Sequence, residues 1–166
     1  MTTLQAPLPR RVFITGGTGY LGSRLIRQLL ARGYGVQALA RSREAAKRLP
    51  VECKIVVGNA LDSKSFADHV HPGSTFIHLV GVARPAPWKT REFRNVDLVS
   101  IRAAIASAQA AAVAHFVYVS VAQPAPVMKA YVKTRAECEG FIRTSGLHAT
   151  ILRPWYVIGP GHRWPL

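Results

Sequence analysis

Short blocks of apolar residues alternate with stretches whose apolar positions recur at helical spacing, from one end of the chain to the other. Arg11-Val12-Phe13-Ile14-Thr15 is an apolar run that stops at glycines, as a buried parallel strand does. A helix is predicted from Tyr20 to Arg32, with Leu21, Leu25 and Leu29 on one face and Gly33 ending it. Gly35 to Ala40 reads as the second strand, and Ser42 caps a short helix through Leu49. Lys54 to Val57 is the third strand, and Asp62 or Ser63 caps a brief helix ending near His69. Thr75 to Val80 is strand four, carrying His78 at a position expected to be buried, and a proline-rich loop with Trp88 follows to Thr90. A long helix from Arg91 to about Ala112 has Val96, Val99, Ala103 and Ala106 at helical spacing. His115 to Ser120 is strand five, Met128 to Ser145 a helix ending at Gly146, and His148 to Arg153 strand six.

Strands alternating with helices in this way call for right-handed crossovers. The prediction is an α/β Rossmann fold, a doubly wound parallel sheet of order 3-2-1-4-5-6 with helices on both faces. A length of 166 residues fits one domain with a real core, and no linker or repeat divides it. No apolar run is long enough to cross a bilayer, and Met1 to Pro9 lacks the pattern of a secretory signal. Cys53 and Cys138 fit no metal spacing and suit a reducing compartment, so a cytoplasmic protein without a metal is expected. The net charge of +14 favours anionic partners, but Arg24, Arg27 and Arg32 are spaced as a solvated helix surface. Nothing resembles a recognition helix, a zinc finger or an aromatic platform, so nucleic acid is not an expected partner.

The chemistry concentrates after the first strand, at Thr15-Gly16-Gly17-Thr18-Gly19-Tyr20-Leu21-Gly22. Gly16, Gly19 and Gly22 stand three apart between a strand and a helix. The first permits a sharp turn, the second a close approach to a pyrophosphate, and the third helix–strand packing. The helix start offers unpaired N–H groups and a positive dipole end to phosphates. At the end of strand two a carboxylate would select NAD(H), but no Asp or Glu lies between Gly33 and Arg43. Arg41-Ser42-Arg43 stands there instead, and forked guanidinium groups suit a 2′-phosphate, which favours NADP(H) over NAD(H).

With these residues the chain resembles the extended and atypical branches of the short-chain dehydrogenase/reductase superfamily over essentially its whole length. The resemblance is carried by Thr15–Gly22, Gly58-Asn59-Ala60-Leu61-Asp62, His78-Leu79-Val80-Gly81, Asn95-Val96-Asp97, Tyr118-Val119-Ser120, Tyr131, Arg153-Pro154 and Gly159-Pro160-Gly161. It implies that Asn59 and Ala60 meet the adenine, although the family usually has Asp at position 59. It places Leu79, Val80 and Gly81 along the adenosine and pyrophosphate, and the segment after Pro154 near the nicotinamide. Asn95 matches an asparagine that supports the active-site helix, Ser120 the hydroxyl that orients a substrate carbonyl, and Tyr131 the tyrosine that exchanges its proton.

The chain departs from the pattern at Arg135, where the family has lysine four residues after the tyrosine. Positions i and i+4 share a helix face, so Arg135 stands beside Tyr131. An arginine keeps its positive charge there but does not relay protons. The resemblance therefore implies either an oxidoreductase or epimerase-like enzyme moving a hydride at a carbonyl or alcohol carbon, or a non-catalytic NADP(H)-binding module serving redox sensing or assembly. It also implies a homodimer built on the helices that carry Asn95 and Tyr131. The small-molecule substrate is left open. Extended members continue into a C-terminal region that forms most of the substrate pocket, so the ending at Trp164-Pro165-Leu166 is expected to mark a fragment.

Overall fold

The computed structural model describes residues 10–161, and the last residues of the chain, Trp164-Pro165-Leu166, lie outside that range. Six parallel strands form one sheet in the order β3-β2-β1-β4-β5-β6. They are β1 Arg11–Thr15, β2 Gly35–Ala40, β3 Lys54–Val57, β4 Thr75–His78, β5 His115–Val119 and β6 Ala149–Leu152. The predicted doubly wound order is the observed one. Alternation along each strand splits the core between the two faces. On one face Phe13, Phe76 and Phe116 are paired across β1, β4 and β5 with ring centroids 5.3 Å apart at each step. Their neighbours Val12, Ile14, Val36, Ala38 and Ile77 build the core of the other face.

Helix α1, Tyr20–Ala31, covers that second face through Ile26. Its buried stripe is Gly22 and Ile26, with Leu25 and Leu29 partly buried, whereas Leu21 is turned toward the end of the sheet and is 37% exposed. The short helix α2, Arg43–Ala46, starts at Ser42, whose Oγ accepts from Ala45 N at 3.1 Å. It stops three residues before the expected Leu49, which is nevertheless buried. The predicted helix before His69 is two 3-10 turns, Ser63–Ser65 and Ala67–His69, the first capped by Asp62.

The long helix differs most from expectation. It opens with a single turn, α3 Thr90–Glu92, widens into a π-helical segment over Phe93–Leu98, and becomes α-helical again as α4, Val99–Ala110. The wide turn shifts the phase of everything after it. Val99 and Ala106 therefore face outward, while Phe93, Asp97, Leu98, Ile101, Ala104 and Ile105 pack inward. Helix α5, Lys129–Thr144, lies beside this segment and buries Thr134, Arg135, Cys138, Glu139 and Ile142. Both helices cover the phenylalanine face, so their polar inward positions meet beneath the carboxyl ends of β4 and β5.

Candidate functional site

At the carboxyl end of β1 the chain turns through Gly16, whose φ of +77° lies in the left-handed region open to glycine. A side chain there would also press on the Leu79 carbonyl carbon at 2.7 Å. A Cβ at Gly22 would overlap Gly16 O and stand 2.6 Å from Gly17 Cα, so the turn and the start of α1 touch backbone to backbone. Gly19 N donates to Gly16 O at 3.1 Å, which closes the turn. The first residues of α1 then face a cavity of about 1080 Å³. Gly16, Gly19, Tyr20, Leu21 and Gly22 line one end of it, and Ser120, Tyr131 and Arg135 line the other. Leu79, Gly81 and Pro154 lie between.

A dinucleotide fits this cradle on structural grounds. The backbone at the turn is bare where a phosphate would approach, a helix start points at it, and no Asp or Glu lines the cavity among the described residues. Gly16, Gly19 and the start of α1 would hold the pyrophosphate.

Other expected cofactor residues are absent from the lining of this cavity. Thr15 is fully buried and its Oγ1 bonds His78 Nδ1 at 2.7 Å. Gly17 is buried against Ala38 and Ile26, each 3.0 Å from where its Cβ would stand, and Thr18 is exposed outside the cavity lining. Val80, Asn59 and Ala60 are likewise outside that lining, with Asn59 Oδ1 accepting from Leu61 N and Ala60 packed against the core. Arg41 and Arg43 are exposed at the end of β2, outside the cavity lining, and make no ion pair among the described residues. Trp88 is 82% exposed and does not line the cavity either.

The floor of the cavity is a buried polar layer. Arg135 Nη2 meets Asp97 Oδ1 at 2.8 Å, and its Nη1 donates to Tyr118 Oη at 2.9 Å and to Val119 O at 3.2 Å. Asp97 also accepts from Val82 N at 3.3 Å, tying the loop after β4 to the π-helical segment. Burial pushes the Asp97 carboxyl up, against the pull of the Arg135 guanidinium, while the two phenols and Asp97 hold Arg135 charged despite its burial. Burial and the charge of Arg135 together push His78 down to about 3, so it is neutral. Ser100 Oγ donates to Asp97 O, which leaves it to accept from His78 Nε2 at 3.3 Å, and Nδ1 then accepts from Thr15. Asn95, expected to support this region, is exposed on the outer side of the π-helical segment, and Asp97 makes the inward contacts.

Arg135 does stand beside Tyr131, as the spacing predicts, but over the ring face and not at the hydroxyl. Its Cζ is 5.2 Å from the ring centroid, and Phe93 packs against the same ring at 5.1 Å. The Tyr131 hydroxyl makes no hydrogen bond among the described residues, and the half-buried side chain lines the cavity. Ser120 is 5% exposed just beyond β5, its amide bonded to Leu152 O at 2.7 Å. Its Oγ has no well-aligned partner.

Sequence reasoning missed Glu139, which lies behind Ser120. Its fully buried carboxylate accepts from Gln123 Nε2 at 2.6 Å, Arg143 Nη2 at 2.8 Å and Arg153 Nε at 3.0 Å. Burial alone would raise this carboxyl, but the hydrogen bonds and charge of Arg153 and the hydrogen bond from Arg143 hold it below the usual range. The loop after β5 and the end of β6 are thereby fixed to one point on α5. Only the acid's position on the Cys138 side of α5 hinted at burial.

Among the described residues no three His, Cys, Asp or Glu residues gather as metal ligands, and no helix is long and apolar enough to cross a membrane.

The family described as NAD(P)H-binding matches residues 16–160. A ceramide reductase of Caulobacter vibrioides is 31% identical over 159 residues, covering 90% of this chain and 47% of its own length. A 4-hydroxy-2-methyl-3-oxo-4-farnesyl-3,4-dihydroquinoline-1-oxide ketoreductase of Stigmatella aurantiaca is 25% identical over 169 residues, covering 90% and 51%. Among solved structures, the Bordetella bronchiseptica enzyme WbmH in complex with NAD+ superposes with a TM-score of 0.78 at 22% identity, over 95% of this chain and 60% of that one. The chain thus spans about half the length of these two curated relatives. Its strand order, glycine turn and family match agree: the chain belongs to the NAD(P)H-binding family.

Proposed function

We propose that this chain is the nucleotide-binding part of an NADP(H)-dependent oxidoreductase or epimerase-like enzyme that moves a hydride at a carbonyl or alcohol carbon. One observation carries the reading. The glycine turn, Ser120 and Tyr131, whose hydroxyl makes no hydrogen bond among the described residues, line a single continuous cavity. The names of two relatives as reductases point the same way.

When bound, the reduced nicotinamide supplies the hydride. Tyr131 donates its hydroxyl proton to the substrate oxygen as negative charge develops there, and Ser120 Oγ donates a hydrogen bond that orients that oxygen. Tyr131 recovers its proton from water, because Arg135 stays charged and is held by Asp97 and Tyr118. In this reading Arg135 fixes the ring of Tyr131 in place and relays nothing.

The test is Tyr131→Phe, assayed for NADPH oxidation against a panel of carbonyl compounds and quinones. A loss of about 10²- to 10⁴-fold in turnover with cofactor affinity retained is expected. Unchanged turnover removes Tyr131 from the chemistry. The locked Arg135–Asp97 pair favours a second reading, a non-catalytic NADP(H)-binding module. Tight cofactor binding with no NADPH oxidation by the unmodified protein across the same panel would favour that alternative.

A further inference from the structure

We infer that the part of the cavity beyond Ser120 takes an uncharged, predominantly apolar ketone or aldehyde and not a polyhydroxylated or nucleotide-linked one. This rests on the catalytic reading of Ser120 and Tyr131. The walls there come from the loop after β4, the loop after β5, the start of α5 and the segment after β6. Val82, Val121, Val127, Met128, Val132 and Trp155 are representative of them.

Polar side chains are scarce in this lining. Among the described residues it contains no Asn, Asp, Gln, Glu, His, Lys or Thr. Arg135 lines it, its two Nη groups meeting Asp97, Tyr118 and Val119 and its buried Nε without a partner among the described residues. Glu139 lies behind Ser120 with its oxygens taken by Gln123, Arg143 and Arg153. Ser120 and Tyr131 both line the cavity, Ser120 Oγ buried and without a well-aligned partner and Tyr131 Oη without a bond among the described residues, and its other side-chain hydroxyls are those of Tyr20 and Tyr156. Two hydroxyls can serve one carbonyl oxygen. A sugar would bring several hydroxyls, each needing an acceptor as well as a donor, and would leave most of them unpaired on entry.

The rim supports the same occupant. Val127 is 67% exposed and Trp155 65% exposed, both lining the cavity, so apolar surface waits there for a cover. The charged residue at the rim is Arg84, held at a φ of +49°, and it opposes a cationic ligand. A hydride adds to the carbonyl carbon, the π electrons of the C=O bond move to oxygen, and that oxygen takes the Tyr131 proton. A bound dihydronicotinamide would supply that hydride with its two electrons, so that its oxidation would balance reduction of the carbonyl to an alcohol.

The experiment measures binding and turnover separately on this chain. 2-Undecanone, dihydroxyacetone and UDP-glucose are titrated with NADP+ bound, followed by tryptophan fluorescence, and each is then assayed for NADPH oxidation. The expected result is a Kd for 2-undecanone at least about tenfold below those of the two hydrophilic probes, raised about tenfold by Val127→Asp while the NADPH Kd is unchanged. Val127 is exposed, so this variant keeps the fold. Binding of 2-undecanone without NADPH oxidation would uphold the cavity assignment and overturn the catalytic reading. Oxidation of NADPH by a hydrophilic probe, with 2-undecanone neither bound nor reduced, would overturn the assignment and leave catalysis standing. No binding by any probe would also overturn the assignment.

Discussion

Arg135 occupies the space that a side chain at Gly81 would need. A Cβ at residue 81 would overlap Arg135 Nη2 and stand 3.1 Å from its Cζ and 3.2 Å from Asp97 Oδ1. Gly81 is therefore glycine because of the guanidinium beneath it. The loop that borders the cavity rests directly on the buried pair.

Gly81→Ala should accordingly cost about 1–3 kcal/mol, the usual range for overpacking a tight site. In a domain of this size that lowers the melting temperature by roughly 2–4 °C per kcal/mol. Thermal melts with and without NADPH would measure it, and the stabilisation by cofactor should shrink in the variant because Gly81 lines the cavity. A melting curve equal to that of the unmodified protein would mean the loop moves freely off Arg135.

The Arg135–Asp97 pair makes a sharper prediction, because its members are 8% and 0% exposed at their side chains. Arg135→Met leaves a buried carboxylate without its partner and should cost about 3–5 kcal/mol. Asp97→Leu added to it removes the orphaned charge, so the double variant should regain much of that loss. A double-mutant cycle in urea gives the coupling directly. Additive losses would show that the two side chains do not act as a pair.

His78 predicts an acid dependence. Folded, it stays neutral down to about 3, against an ordinary value of 6.5. The unfolded chain therefore binds a proton that the native one refuses. The stability this group contributes is complete above about pH 6.5 and is lost as the pH falls toward 3, by up to about 1.4 kcal/mol per pH unit. Denaturant titrations at pH 6 and pH 4 should lose roughly 2 kcal/mol less in His78→Gln than in the unmodified protein. Equal losses would mean that His78 is charged in the native state.

How much of this was legible in the sequence depends on the range of the interaction. The strand order and the glycine turn rest on local patterns, such as Phe13 flanked by Val12 and Ile14, and these read directly. The π-helical segment does not, because Phe93–Leu98 has ordinary helical composition and only the inward pull on Asp97 marks its extra width. Asn95 was expected to support this region on the family resemblance alone, whereas the inward contacts among the described residues are those of Asp97. Glu139 was illegible for another reason. Its partners Gln123 and Arg153 are 16 and 14 residues away on other elements, and nothing in helical spacing links them.

Glu139→Gln tests that hub. It keeps the shape but replaces a charged acceptor of arginine hydrogen bonds by a neutral amide, at about 1–3 kcal/mol. The loss should be local. Ser120 N bonds Leu152 O and Ala122 N bonds Pro154 O, continuing the sheet past β5, and these amides should exchange with solvent faster in the variant. The amides of β1 should keep their protection, and faster exchange there as well would show a global and not a positional effect.

Cofactor choice turns on Arg41. β1 and β2 run parallel with Ile14 opposite Ala38, so Arg41 emerges beside the glycine turn, one strand over. The neighbouring acid, Glu44, is salt-bridged to Lys47 at 2.6 Å, and Ser42 is committed to capping α2. Arg41 and Arg43 are exposed and have no ion pair among the described residues, so neither guanidinium is committed to a carboxylate. A charge-assisted hydrogen bond contributes about 1.5–3 kcal/mol, roughly ten- to a hundredfold in affinity. Calorimetric titration should therefore give a clearly lower Kd for NADPH than for NADH, with Arg41→Ala removing most of the difference by weakening NADPH alone. Salt should weaken NADPH binding more steeply than NADH binding in the unmodified protein, since the extra phosphate meets exposed charges. If Arg41→Ala weakened both cofactors equally, the arginine would be acting on the pyrophosphate or the fold, and the preference for NADP(H) would lose its physical basis.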